Sequence, residues 1–599
     1  MRDERRIWSA IAMVVGLYGL APQTALAAEL YVDGDLASDC GGTYDPDLRA
    51  CGMGTETAFA GFAAVAGQAT PGDTVWIRGG QYSEQLSPQT SGTAEAPIVF
   101  SAMGEEMVTI SGLSDPALWL QDVSYVEVRG LLVSDVLGFG RLEDTVGVVV
   151  EGNEFREATS TGTTGGLKLV RATQTVLRDN AFIDANDSVV VQESERNLIV
   201  GNRFERARHS LLSVRCSDAT VVRGNTFDNE DQKAAEIFDC EAVSDAPFEL
   251  DATRRNLFDA NAFVHTLASD QSHRYNGIQF AGQQGVVRRN VFYDNLGGGI
   301  GVQVYSDEAL HNYENRIYNN TFFANACYAV IGSSADAPER FYDNLVRNNL
   351  VYSNVGCNGE AEQVNVANEA AVILSDNALT EDSPGFVDEA AFDLHLSEGS
   401  PMIDAAAFVA RTMSAGEGAQ LVVDDARYFF DGFGIPGEEG DRVQLEGQLE
   451  SAVVIAVDIS TGTLTLDEPL SWQAGVGVHL AYAGEAPDQG AFEHGLEEPG
   501  GDDDGASDDG GTDDDGADDD AGPSDDSGDD NADESGGDGG GDGGVGDDAD
   551  PDTGATSGMA EPGDDAGGCG CRTRSYPLSL AWAFGLLLLP VARRRSRTP

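Results

Sequence analysis

The 599-residue chain holds only two lysines, Lys168 and Lys233, and seven histidines, so any proton-moving site must draw on a short roster. Lys233 stands close to Glu236, Asp239 and Glu241, and His209 and Arg215 precede it by about one repeat length. These types could abstract a proton beside an anionic group, with Lys233 or His209 as the base and Arg215 neutralising the anion. Glu236, Asp239 and Glu241 offer carboxylate oxygens of the kind calcium takes. Further on, Gln279, Gln303, Tyr305 and His273 supply donors and acceptors that would hold a polar substrate. The competing reading is a solvated corner lysine, a structural histidine and carboxylates paired with Arg215. What separates the two is whether the fold brings these side chains onto one surface.

The element that must position them is a repeat. VEGNEF, LRDNAF, IVGNRF, VRGNTF, FDANAF, VRRNVF, IYNNTF, VRNNLV and LSDNAL share an Asn at 153, 180, 202, 225, 261, 290, 320, 349 and 377. The spacing is 22 to 30 residues, apart from one longer gap after Asn225, as in solenoid coils. Between these Asn residues lie short β-branched runs such as 148–150, 189–191 and 221–222, with no helical period. The pattern predicts an all-β, right-handed parallel β-helix with one Asn per coil. Asn tolerates a left-handed corner, and its stacked amides can bond along a ladder. The Phe two residues on shares one side of a strand, so Phe155, Phe182, Phe204, Phe227, Phe263, Phe292 and Phe322 should stack inward.

With these repeats, and with the PGDTVWIRGGQY opening at 71–82, the sequence resembles the pectin-lyase-like superfamily of secreted β-helix proteins. The resemblance implies a groove on one outward face, walled by long loops; the stretches after Asn225 and at 265–276 would be such walls. It also implies a polysaccharide partner, most concretely a uronate-containing glycan cleaved by lyase chemistry. The alternative is a non-catalytic surface adhesin or glycan-binding protein on the same scaffold. The sequence lacks the Arg-x-Pro-x-x-Arg stretch of pectate lyases, the paired Asp of polygalacturonases and the Asp-Pro-His-Glu of alginate epimerases. Arg215 and Lys233 fall on successive coils, as an Arg and a Lys do in chondroitinase- and alginate-lyase-like β-helices, but the surrounding text differs.

Coils rise about 4.8 Å each, so residues at equal offset from the ladder Asn become vertical neighbours. Cys216 and Cys240 share an offset to within one residue, as do Cys327 and Cys357, which predicts two disulfides across adjacent coils. Cys40 and Cys51 bracket a short loop and form a third expected pair. The same register puts Asp187, His209 and Lys233 in one column. It turns Gln192, Glu193, Arg215, Glu236, Asp239, Gln279, Gln303 and Tyr305 outward near one sheet.

Around this domain (28–407) the expected parts are a signal peptide at 1–27 and a short capping helix within 57–69. A small β module at 408–483 is expected to cap the last coil, with ligand binding as its alternative role, and 484–496 to form a closing strand. Residues 497–567, holding about 28 of the 102 acidic residues with no Lys or Arg up to 566, are expected to be a disordered, self-repelling acidic linker. Residues 568–599, with Cys569, Cys571, an apolar run and an Arg cluster, resemble C-terminal sorting signals of myxobacteria-type surface proteins. That resemblance implies export and anchoring to the outer membrane or cell envelope, with Cys569 or Cys571 as the processed position. The net charge of −67 argues against nucleic acid as a partner. A monomer is expected.

Overall fold

The structure, a computed structural model, describes residues 27–162, 165–238, 240, 250, 252–267, 275–303 and 311–496. The β-helix is built from three parallel faces. Face I contains Val149–Glu151, Val176–Arg178, Leu198–Val200, Val221–Arg223, Leu257–Asp259, Val286–Arg288, Arg316–Tyr318 and Asn344–Arg347, each paired with the next. Face II contains the Phe strands, and face III the strands that follow each second corner. Period-2 alternation puts Val150, Leu177, Ile199, Val222, Phe258, Val287 and Ile317 of face I into one inward row, all buried.

On face II the seven Phe side chains stack as expected. Successive ring centroids lie 4.7–5.1 Å apart and the rings are within 14° of parallel. Phe227 is fully buried mid-stack, and Phe227→Ala should lower unfolding free energy by about 3–5 kcal/mol, measurable by denaturant titration. A loss below about 1 kcal/mol would mean that the coils close over the gap.

The amide ladder also runs unbroken. Asn153 Nδ2 donates to Asn180 Oδ1, and the same bond recurs at 2.8–3.0 Å through Asn202, Asn225, Asn261, Asn290, Asn320, Asn349 and Asn377. The expected left-handed conformation falls one residue earlier, on Gly152, Asp179, Gly201, Gly224, Ala260, Arg289, Asn319, Asn348 and Asp376. The ladder Asn instead satisfies backbone groups at the corner. Its own N–H and Nδ2 both reach the next Asn Oδ1, and Nδ2 of Asn153 also bonds the Val128 and Glu151 carbonyls. A second ladder, Asn295–Asn325–Asn354, stands at another corner. The three disulfides join Cys40 to Cys51, Cys216 to Cys240 and Cys327 to Cys357, as expected.

The expected short helix forms at Phe62–Val65, bounded by Gly61 and Gly67, while residues 57–59 belong to the strand Glu56–Phe59 paired with Glu29–Val32. The Glu84 carboxylate caps this single turn by accepting from Phe62 and Ala63 N–H.

The module at 408–483 is a six-stranded antiparallel sheet that lies along the flank of face I, not over the last coil. Face I presents Val176, Leu198, Val221, Leu257 and Val286 outward, and a parallel sheet apolar on both sides must be covered. Tyr428, Phe429 and Phe430 of the module complete that core. Beside it, Arg288 is clamped by Asp441, Arg316 by Asp425 and Arg223 by Glu438. Burial pushes the His479 imidazole down to about 3, and its Nε2 faces Asn319 Oδ1 at 3.2 Å.

Residues 484–496 form no strand. They attach through single bonds instead of a ladder, with Gln489 Nε2 on the Asn349 and Asp376 carbonyls and Ala491 N–H on Thr321 Oγ1. Among the described residues no helix is long and apolar enough to cross a membrane. Most of the expected signal peptide, the acidic spacer, and the tail with Cys569 and Cys571 lie outside the described residues.

Candidate functional site

Face III runs through Leu167–Val170, residues 187–192, residues 210–215, Lys233–Phe238, Ile278–Phe280 and Ile300–Val302. Leu169, Val191, Val214, Ile237, Phe280 and Val302 form its inward row. The opposite row reads Lys168, Val190, Ser213, Glu236, Gln279 and Gly301, so polar side chains stand where face I has apolar ones.

At the corner leading into this face, the strand Arg203–Arg215 carries one residue more than its neighbour. Ala185 pairs with Ala207, but Asp187 pairs with Ser210. The vertical column is therefore Asp187, Ser210, Lys233, and not Asp187, His209, Lys233 as expected from the sequence. The extra residue is a β-bulge, which re-aims a side chain. Here it swings His209 sideways until Nδ1 lies 2.7 Å from Asp187 Oδ1.

A continuous polar chain follows. Ser210 Oγ and Asn186 Nδ2 donate to the Asp187 carboxylate at 2.8 and 2.9 Å. His209 Nε2 faces Lys233 Nζ at 3.2 Å, and that ammonium lies 2.7 Å from Glu236 Oε2. Glu236 Oε1 accepts from Ser213 Oγ and Arg215 Nη2. An ammonium only donates, so Nε2 is the acceptor and the Nδ1 proton points at Asp187. With His209 neutral, two carboxylates balance one ammonium and one guanidinium, which lets the group be buried without unpaired charge.

Burial would raise the Asp187 carboxyl, but the hydrogen bonds from His209 and Ser210 hold it below the usual range. Glu236 is fully buried, yet the charges of Lys233 and Arg215, with the Lys233 hydrogen bond, hold it far below that range. Both carboxylates are thus ionised at neutral pH. Accessibility varies across the cluster: the His209 side chain is 37% exposed, Arg215 21%, Lys233 10%, and Asp187 and Glu236 1% each.

Known proteins share parts of this architecture. A family described as "Periplasmic copper-binding protein (NosD)" matches residues 133–343, the stretch that holds the whole cluster. Pectate lyase PEL9 of Emericella nidulans is 37% identical over 89 residues, which is 14% of this chain and only 19% of that protein's length. Among solved structures, pectate lyase Pel9A aligns with a TM-score of 0.41 at 12% identity, covering 78% of this chain and 97% of that one. An alginate lyase from Paenibacillus sp. aligns at 0.32 and 15% identity, covering 53% and 95%. At these scores nothing about activity transfers.

Of the residues singled out by sequence, Lys233, His209, Arg215 and Glu236 meet in one cluster. Gln279 and Gln303 lie on following coils, joined by a 3.2 Å bond between Gln279 Nε2 and Gln303 Oε1. Asp239, Glu241, His273 and Tyr305 lie outside the described residues. Sequence reasoning did not single out Ser210 and Ser213, although Ser213 shares a row with Glu236 and the register alone could have found it.

Asp187, His209 and Glu236 bring three potential ligand atoms within 4.8 Å of one another and could hold a metal ion. The Lys233 ammonium already lies against two of them, His209 Nε2 and Glu236 Oε2. Calcium takes about six to eight oxygens, whereas this trio offers one nitrogen and two carboxylates, one of them tied to Arg215. With Lys233 in place the trio does not fit calcium.

Proposed function

We propose that this chain is an exported β-helix protein that acts on polysaccharide, with the face III cluster carrying out β-elimination on a uronate-containing glycan. The observation that carries the reading is the Asp187–His209–Lys233–Glu236–Arg215 chain on an outward face. In the proposed reaction the uronate carboxylate draws the Lys233 ammonium and the Arg215 guanidinium, which frees His209 Nε2. His209 then takes the proton from the carbon beside the carboxylate, while Asp187 holds Nδ1 and stabilises the imidazolium. The electron pair left on carbon forms the double bond and expels the glycosidic oxygen, which is protonated from Lys233 or solvent. Lys233 serves as cation and proton donor, because an ammonium shared by Glu236 and His209 has no lone pair to offer.

Hydrolysis fits less well. A glycoside hydrolase needs one carboxyl kept protonated as general acid, and both carboxylates here are held ionised. The match to a copper-binding family makes copper an ion to test, with Lys233 displaced. Export, and display through Cys569 or Cys571, complete the proposal; the three disulfides support an oxidising compartment.

The test is the ultraviolet absorbance of an unsaturated uronate product when the protein meets polygalacturonate, alginate and glycosaminoglycans, with chelator, calcium or copper added. His209→Ala and Lys233→Ala should each reduce turnover by about 10²-fold or more, with wild-type melting behaviour for His209→Ala. A flat trace from wild type on every polymer overturns the lyase reading. If calorimetry then shows glycan binding, the non-catalytic glycan-binding reading replaces it.

A further inference from the structure

One of the chain's two lysines, Lys168, has no place in the proposed reaction, yet it stands in the same outward row of face III as Glu236. Val190, Ser213 and Glu236 follow it at one per coil, so Lys168 lies three coils, about 14 Å, from Glu236 along the helix axis. In the other direction the row continues to Arg141 and then to Trp119. Trp119 ends this strip five coils, about 24 Å, from Glu236.

Trp119 is unlike the other described tryptophans. Trp472 is buried in the core of the 408–483 module, and Trp76 packs against the Tyr31 and Tyr44 cluster. Trp119 belongs to none of the apolar clusters, although Leu118 and Leu120 on either side of it are fully buried in the main core. It is half-buried, and its indole N–H donates to Gln121 Oε1 at 3.3 Å. With the polar edge engaged, what the indole offers is apolar ring surface. One coil on, Arg141 is 29% exposed and donates from Nε to Glu143 Oε2 at 2.7 Å. Its two Nη groups, which carry four of its five N–H, make no hydrogen bond among the described residues. The half-exposed ammonium of Lys168 follows on the next coil. An aromatic surface followed by two cations is the complement of a sugar ring that carries a carboxylate, because the ring's C–H face is apolar and its anion suits a guanidinium fork. Between this end and the cluster, Val190 and Ser213 are short and buried, so they leave a low floor over which a chain can lie.

We propose that Trp119 and Arg141, with Lys168, form a distal subsite for a uronate-containing glycan, several sugar units from the reacting one. The indole takes the face of a sugar ring, the Arg141 guanidinium takes a carboxylate, and the glycan runs along the helix axis. The subsite rests on the reading that the cluster handles such a glycan. It makes the protein a reader of long chains and a poor binder of short ones.

The test is calorimetric titration of full-length His209→Ala, which should bind the glycan without cutting it. The probes are a disaccharide and a dodecasaccharide prepared from each of polygalacturonate, alginate and hyaluronan. At least one dodecasaccharide should bind about tenfold or more tighter than its own disaccharide, because only the longer chain reaches the indole. Adding Trp119→Ala should remove most of that gain, Trp119→Phe should keep much of it, and Arg141→Gln should reduce it. The dodecasaccharide should also shift the tryptophan emission, and the shift should vanish in Trp119→Ala. Equal affinity for the two lengths, or a gain that survives Trp119→Ala, overturns the subsite and leaves the cluster reading standing. So does cleavage by wild type without length-dependent binding in His209→Ala. An equal loss of disaccharide affinity in Trp119→Ala marks a disturbed fold and also overturns the subsite. If wild type neither binds nor cuts any probe, both readings fall.

Discussion

Replacing Arg288 with methionine is expected to cost about 3–5 kcal/mol and to loosen the 408–483 module from the helix. The guanidinium is 1% exposed and grips both oxygens of Asp441, at 2.7 and 2.6 Å, in a bidentate pair. It also donates to Asp259 Oδ2 and to the Tyr318 hydroxyl, both at 3.1 Å. Asp259 would keep Arg289, but the Asp441 carboxylate would keep the Phe430 N–H in place of a cation and stay buried as an anion. The penalty comes from that stranded charge and not from lost attraction. The double substitution Arg288→Met with Asp441→Leu should therefore recover most of the loss. Thermal unfolding and limited proteolysis at 408–483 would check both. Unchanged melting and protection in Arg288→Met would mean that the apolar face docks the module without its charged pins.

The second large effect is expected at Glu236. Glu236→Gln keeps the shape but leaves Lys233 and Arg215 without their shared anion, at a cost of about 3 kcal/mol or more at neutral pH. The sign of the pH dependence follows from the direction of the shift. The folded state holds Glu236 far below its ordinary value of 4.5, so its stabilisation is complete above that value and fades as pH falls below it. Stability curves of wild type and Glu236→Gln should therefore run apart above about pH 5 and converge as acid is added. A gap that stays constant down to low pH would show that the glutamine disturbs packing and not charge.

Much of the fold was legible in the sequence because a solenoid writes its third dimension into its spacing. Once each coil carries one Asn and one Phe, vertical neighbours follow from arithmetic, and the ladder, the stack and two inter-coil disulfides come with them. The gathering of His209, Arg215, Lys233 and Glu236 was legible for the same reason. The contact between His209 and Asp187 was not, because one extra residue in a strand leaves no mark in composition or hydropathy. That bulge decides which side chain stands in the column and which beside it. The place of the 408–483 module was also hidden. Face I strands read as β-branched runs whether one side is covered or both, so the sequence fits an end cap as well as a flank.

By itself, then, the sequence determined the repeating geometry: the all-β coil, its Asn and Phe columns, its cysteine pairs and the coils on which the polar groups fall. These depend on local spacing, which each coil restates. Only the tertiary structure decided what happens where the repeat is broken or crossed. It turned His209 onto Asp187 and made Lys233 the cation of a neutral buried cluster. It also laid a second sheet along face I through Arg288 and Asp441. Those outcomes depend on a one-residue shift in register and on partners as far as 215 residues apart in the chain, and no periodic pattern encodes them.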